Sequence, residues 1–272
     1  MKRVFYDILE NMALSWRSKK QITYISIVVG VILIFIYRSF VAPALNVGPT
    51  CFDGIQNADE QGADCGGSCQ KLCSFQTNTL LIRFARVFPV TSSVYNAMAY
   101  VDNQNAGSAV RKIAYEFRVY DDAGVFIISR AGESFIGPVG RFVIFEPSLN
   151  VGNRIPAKTL FKFTQIPVWE KIDKRFETFP ASVRDKKLSN LDSTPKLSAV
   201  VSNDSIYDLS NLPVIAILYD KDGNALAASR TFLDQLTKNS TAPVYFTWPE
   251  PFEEQIFSTD IFPEINPFSF KL

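Results

Sequence analysis

The chain contains no histidine. That removes the side chain that titrates nearest neutral pH and the commonest metal ligand. Ser-His-Asp and Cys-His nucleophile systems are excluded with it. Neither sign of charge is in excess: 28 basic against 27 acidic residues leave +1. Bulk charge therefore argues for neither nucleic acid nor an acidic ligand. The G-x-S-x-G elbow, the phosphate-binding P-loop and H-E-x-x-H are missing as well. A carboxylate pair or a Ser-Lys pair is what remains for catalysis, and the expectation is of a protein that is not an enzyme. No small-molecule substrate is evident.

One long apolar run is present. From Ile22 to Tyr37 the chain reads ITYISIVVGVILIFIY without a charge. Extended to Val41 it has only Arg38 charged, and a helix of that length rises about 30 Å, enough to span a hydrocarbon core. Ile22, Val28, Val31, Leu33, Phe35 and Tyr37 are its expected lipid-facing residues. A cleaved signal peptide is the competing reading. The run is longer than a typical signal core, begins 21 residues in, and is followed by Ala42-Pro43-Ala44, a poor cleavage site. Lys2, Arg3, Arg17, Lys19 and Lys20 precede the run, and after Arg38 no basic residue follows until Lys71. The positive-inside rule then places the N-terminus in the cytoplasm and the rest outside a plasma membrane. Before the run, Val4, Phe5, Ile8, Leu9, Met12 and Trp16 recur at helical spacing, as in an amphipathic helix on the inner membrane face.

All four cysteines, Cys51, Cys65, Cys69 and Cys73, fall within 23 residues rich in Gly and polar side chains. Outside a membrane this reads as disulfides holding a segment too poor in apolar residues for its own core. Three pairings are open. A four-cysteine zinc site is the alternative, but the spacings lack close C-x-x-C pairs. Asp53, Asn57, Asp59, Glu60 and Asp64 crowd the same segment and supply oxygen ligands of the kind calcium takes, or simply make turns. The string C-x-D-G-I-Q-N-x-x-E-x-G-x-D-C-G-G-x-C-x-x-x-C resembles a short Cys-rich repeat of bacterial and archaeal surface proteins. Such modules act as spacers or adhesive units. This chain departs from the repeat in its last gap, Gln70-Lys71-Leu72, three residues rather than two.

From Thr79 onward, period-two patterns predict strands. They cover Leu80–Val87, Tyr95–Asn103, Ile113–Tyr120, Val125–Ile128, Phe142–Phe145 and Thr159–Phe163. The order recurs: a strand ends at Asn103 and at Asn203, and a later one runs into Tyr120-Asp121 and Tyr219-Asp220 before a Gly turn. The fold class expected is mainly β, two tandem Ig-like antiparallel β-sandwich domains behind one transmembrane helix and a small disulfide-rich module. Boundaries are 1–20 for the amphipathic segment, 21–42 for the span, 50–74 for the Cys-rich module, 78–170 for the first sandwich, 171–194 for a charged linker or exposed edge, and 195–272 for the second sandwich with a Pro- and Phe-rich tail. Leu218-Tyr219-Asp220, with Val200-Val201-Ser202-Asn203 before it and Val244 to Pro249 after it, resembles FxLYD-type and late-embryogenesis-type Ig-like sandwiches of prokaryotic envelope proteins. That resemblance implies packing and turn residues rather than an activity.

The function expected is a membrane-anchored extracytoplasmic binding or scaffold protein, with an envelope or membrane protein as partner and the lipid bilayer as support. The alternative is an envelope enzyme using carboxylates or Ser-Lys, for which a pocket holding a shifted carboxylate is the discriminating sign. Phe257, Phe262, Phe268 and Phe270 form the candidate partner surface. Asn203 and Asn239 begin N-glycosylation sequons.

Overall fold

The computed structural model describes residues 16–41, 50–138, 140–173 and 181–269. The amphipathic pattern from Val4 to Met12 and the tail residue Phe270 lie outside them. Two compact units divide the chain, Met1–Asp53 and Gly54–Leu272.

The first unit carries helix α1 (Trp16–Ile36), continued by a π-helical turn, Tyr37–Val41. The segment Lys20–Phe40 is 21 residues long with a mean hydropathy of 2.0 and none of it buried. Ile22, Val28, Val31, Leu33, Phe35 and Tyr37 are all exposed. Apolar side chains surround the helix, so it has no polar face to turn to water. It is long and apolar enough to cross a membrane, as anchors and signal sequences both are.

The second unit is built from antiparallel sheets. β1 (Leu81–Pro89), β2 (Val94–Asn103) and β5 (Gly140–Asn150) pair in the order β1-β2-β5. β3 (Ser108–Tyr120), β4 (Phe126–Ile136) and β6 (Lys158–Phe163) pair as β4-β3-β6, and β7 (Trp169–Lys171) joins the start of β3. A second set follows. β8 (Ala181–Ser189), β9 (Lys196–Asn203) and β12 (Thr241–Thr247) pair as β8-β9-β12. β10 (Leu209–Tyr219), β11 (Ala225–Leu236) and β13 (Ser258–Pro263) pair as β11-β10-β13. Strand for strand, the second set repeats the pairing order of the first.

Side-chain alternation shows how the sheets stack. Ala97, Ala99 and Val101 of β2 face Tyr115, Phe117 and Val119 of β3 in one core. Leu197, Ala199 and Val201 of β9 face Val214, Ala216 and Leu218 of β10 in another. The intervening residues form a third. Met98 and Tyr100 of β2, with Val143 and Phe145 of β5, pack on Ile215 and Ile217 of β10 and Ala225 and Ala228 of β11. The sheets holding β2 and β10 are therefore covered on both faces. This explains why Val214–Leu218 is a continuous apolar run rather than an alternating one.

One boundary needs correction. The stretch 171–194 is not simply a linker: residues 181–189 form β8, an edge strand paired with β9. The second set thus begins at Ala181 rather than 195. Ala181, Val183 and Leu188 turn to the core, while the charges of Arg184-Asp185-Lys186-Lys187 line the exposed side. The register shifts between Arg184 and Lys187, and Asp185 has φ 56°. A charged, bulged edge resists pairing with other chains, and its polarity is what made it read as a linker.

Candidate functional site

All four cysteines are oxidised, and Cys65 is bonded to Cys73. An oxidised sulfur is not a thiolate, so the zinc alternative falls. The acidic residues of the module serve its turns. Both carboxylate oxygens of Asp64 accept from the Gly54 N–H at 3.0 Å. Glu60, buried, accepts from the Asn57 N–H at 3.2 Å. Asp59 accepts from the Ser68 hydroxyl at 2.7 Å, which holds its carboxyl below the usual range. Asp53 accepts from the Thr50 N–H at 3.4 Å. Each of these four carboxylates accepts a hydrogen bond from within the module. Gly67 belongs to the same design: its φ is +55°, and a Cβ there would lie 2.0 Å from the Asp59 carbonyl oxygen.

The module is tied into the first sheet set. The Leu72 N–H donates to the Trp169 carbonyl at 2.9 Å, and the Lys171 N–H donates to the Gln70 carbonyl at 2.7 Å. Lys71 bridges Glu170 in the antiparallel sense, and the Lys171 ammonium donates to the Gly67 carbonyl. Arg111 grips Glu170 with two hydrogen bonds, at 3.2 and 2.8 Å. Leu72 packs on Val110, Ile113, Ile136 and Trp169. Strand β7 thus welds the cysteine segment to β3.

Asp121 and Asp220, which precede the two Gly turns, are turn residues. The Asp121 carboxylate accepts from the Val125 N–H at 2.7 Å and pairs with Arg154 at 2.7 Å. Asp220 accepts from the backbone of Asp222 and Asn224 and from the Asn224 amide, and these donors lower its carboxyl. Gly124 and Gly223, each three residues after its aspartate, have φ of 76° and 81°. Asn103 and Asn203 are a second matched device. Each accepts from the N–H two residues on, and each donates its amide to the chain leaving β4 or β11. Asn203 is fully buried with its amide engaged, so its sequon is closed to glycosylation in the folded chain. Asn239 lies exposed on a turn.

The tail phenylalanines separate. Phe262 packs edge-on against Tyr100 at 5.6 Å, within the junction between the two sets. Phe268 lies under the Arg111 guanidinium, 4.1 Å from it. Phe257 is exposed.

The junction also holds charges that the sequence did not single out. The Glu264 carboxylate accepts from the Val143 N–H at 2.9 Å. Arg230 donates to the Phe145 carbonyl at 3.0 Å, and Arg86 donates to the Ala225 carbonyl at 2.6 Å. Desolvation pushes the Glu264 carboxyl up to about 8, against the pull of the Val143 N–H and of Arg230. Glu264 lines a cleft of about 520 Å³ with Asp208, Ser210, Asn211 and Asn266. A second cleft, of about 400 Å³, lies at the other end of β10, lined among others by Tyr95, Trp248, Phe252, Glu250, Glu253 and Glu254. A lone glutamate in a Pro- and Phe-rich tail gave no pattern by which sequence reasoning could find Glu264.

No family model and no curated protein matches the chain. Among solved structures, a red sea bream transglutaminase is 8% identical, with 64% of this chain covering 27% of that one at a TM-score of 0.22. A Bacteroides uniformis beta-glucuronidase is 11% identical, with 63% covering 24% at 0.22. The chain spans about a quarter of each, and at these values neither their fold nor their activity bears on it.

Proposed function

We propose that this chain is a single-pass membrane protein whose β-rich body stands outside the cytoplasm and works there by binding, as a scaffold or assembly subunit, without catalysis. The observation that carries the reading is helix α1, an apolar cylinder of spanning length with no buried residue in its core segment. Lipid is the solvent such a surface requires. Oxidised cysteines support an extracytoplasmic body, and the basic flank before the span supports its direction.

The body reads best as a duplicated pair of Ig-like sandwiches. In each set the second strand lies between the first and fifth, and the third between the fourth and sixth. That crossed pairing is how Ig-like folds connect their two sheets. Leu218, buried, and Asp220, capping the turn, play the packing and turn roles that the FxLYD-type resemblance assigns to them. The cysteine module would be the spacer of a surface protein.

The test is fractionation of native membranes with external protease. The full chain should resist carbonate extraction while residues after 50 are digested from outside. Recovery of a soluble body lacking residues 1–41 would make α1 a signal sequence and end the anchor reading. Affinity capture from detergent should bring down a stoichiometric envelope or membrane protein, and recovery of the chain alone would count against a scaffold.

A second reading rests on Glu264. A carboxyl raised to about 8 in a polar cleft meets the condition for an envelope enzyme. Its hydrogen bond to Val143 supports a structural role instead. Reaction of the folded chain with a water-soluble carbodiimide at neutral pH separates the two: selective modification of Glu264 favours the enzyme, and a protected Glu264 removes it.

A further inference from the structure

Four exposed apolar side chains of the body belong to the cysteine module or to the segment hydrogen-bonded to it. The bridge between Lys71 and Glu170 and the hydrogen bond from Leu72 to Trp169 join the segment that carries Phe75 to the segment that carries Ile166 and Val168. The Phe75 ring lies over Gly62, 4.0 Å from where a Cβ would stand. Ile55 follows Gly54, which is hydrogen-bonded to Asp64 beside the same disulfide. These residues are 71%, 88%, 52% and 64% exposed in the order Phe75, Ile166, Val168, Ile55. Lys71, in the same module, is exposed as well.

We propose that this end of the body, the face carrying Ile55, Phe75, Ile166 and Val168, rests in the interfacial region of a lipid bilayer. The proposal depends on the membrane-anchor reading above. Its occupant follows from the length of chain. Nine steps of backbone separate Val41, where the spanning segment ends, from Thr50, a reach of at most about 32 Å fully extended. β10 alone, at 11 residues, is about 36 Å long. The end bearing the cysteine module is therefore held within reach of the bilayer. The opposite end, with the Asp121 and Asp220 turns, need not come near it. Apolar side chains so tethered gain by entering the headgroup and acyl boundary, while the Lys71 ammonium meets lipid phosphate.

The experiment uses the full chain reconstituted in phosphatidylcholine vesicles, with acyl-chain-brominated lipid as quencher. Phe75→Trp and Ile166→Trp are compared with Phe257→Trp, whose backbone N–H bonds to the Tyr219 carbonyl at the opposite end. The added fluorescence at positions 75 and 166 should fall roughly twofold or more on bromination, and that at 257 should not change. Vesicle flotation is measured on the same samples. Failure to float overturns the anchor and this proposal together. Flotation with no quenching at 75 and 166 overturns this proposal alone, and so does crosslinking of the face to a second copy without quenching.

Discussion

The two sheet sets share a strand order and differ in what fills them. The first core is aromatic: Phe117 and Phe161 lie 4.8 Å apart, with Tyr115 and Phe163 at 5.8 and 5.1 Å from Phe161. The second is mainly aliphatic, with Leu197, Val201, Val214, Leu218 and Phe246 at its centre. What the sets have in common lies at strand ends. Asn103 and Asn203 clasp the chain leaving β4 and β11, and Asp121 and Asp220 cap the turns after β3 and β10. Interior volume can be filled in many ways, whereas a turn needs one backbone geometry and a partner for each freed N–H. The strand order therefore tracks the turn devices more closely than the core.

The comparison can be broken in order of expected effect. Phe117→Ala empties the aromatic core and should cost about 3–5 kcal/mol by chemical denaturation. Leu218→Ala in the second core should cost about 2–5 kcal/mol. If the shared junction couples the sets, each substitution lowers a single transition observed for both, and two separated transitions would show the sets to be independent. Met98→Ala strikes the junction itself and should cost about 2–4 kcal/mol while leaving the core of each set filled. Asn103→Ala removes the donor to the Gly137 carbonyl, and Asn203→Ala the donor to the Tyr207, Leu236 and Thr237 carbonyls, each at about 1–3 kcal/mol. Asn203 engages more partners and should lose more, a ranking that paired melts can check.

A pH dependence sharpens the junction. The Glu264 carboxyl is raised from 4.5 to about 8. Between those values it is neutral when folded and ionised when unfolded. Its contribution is thus fully present below about 4.5 and is lost as pH rises through about 8. Melting temperature should fall across that window and level off above it, and Glu264→Gln should flatten the slope while keeping an acceptor for Val143. The smallest effect concerns calcium. If the acidic residues of the cysteine module only cap turns, millimolar calcium shifts the melt by less than about 1 °C, and a clear rise would reinstate a bound ion.

Much of this was legible in the sequence because it is local. The Asp-to-Gly turns, the strands ending in asparagine and the long apolar run each carry their signal within a few residues. The junction does not. Val214–Leu218 reads the same whether a helix or another sheet covers its second face, since an apolar run records burial and not what covers it. β8 was hidden by Arg184-Asp185-Lys186-Lys187, charges that guard an edge and also mark linkers. The calcium ligands are named from oxygen content alone, and the hydrogen bonds those oxygens accept from Gly54, Asn57 and Ser68 are not written in the sequence.

The junction has a consequence for how the chain is made. Synthesis delivers the first set complete by Phe163, but the face bearing Met98, Tyr100, Val143 and Phe145 finds its cover only when Ile215 to Phe262 arrive. At ordinary translation rates that interval is on the order of 10 s. During it an apolar sheet face stands without its cover. Folding of this chain is thus a race between the second half of its own message and whatever else would stick to that sheet.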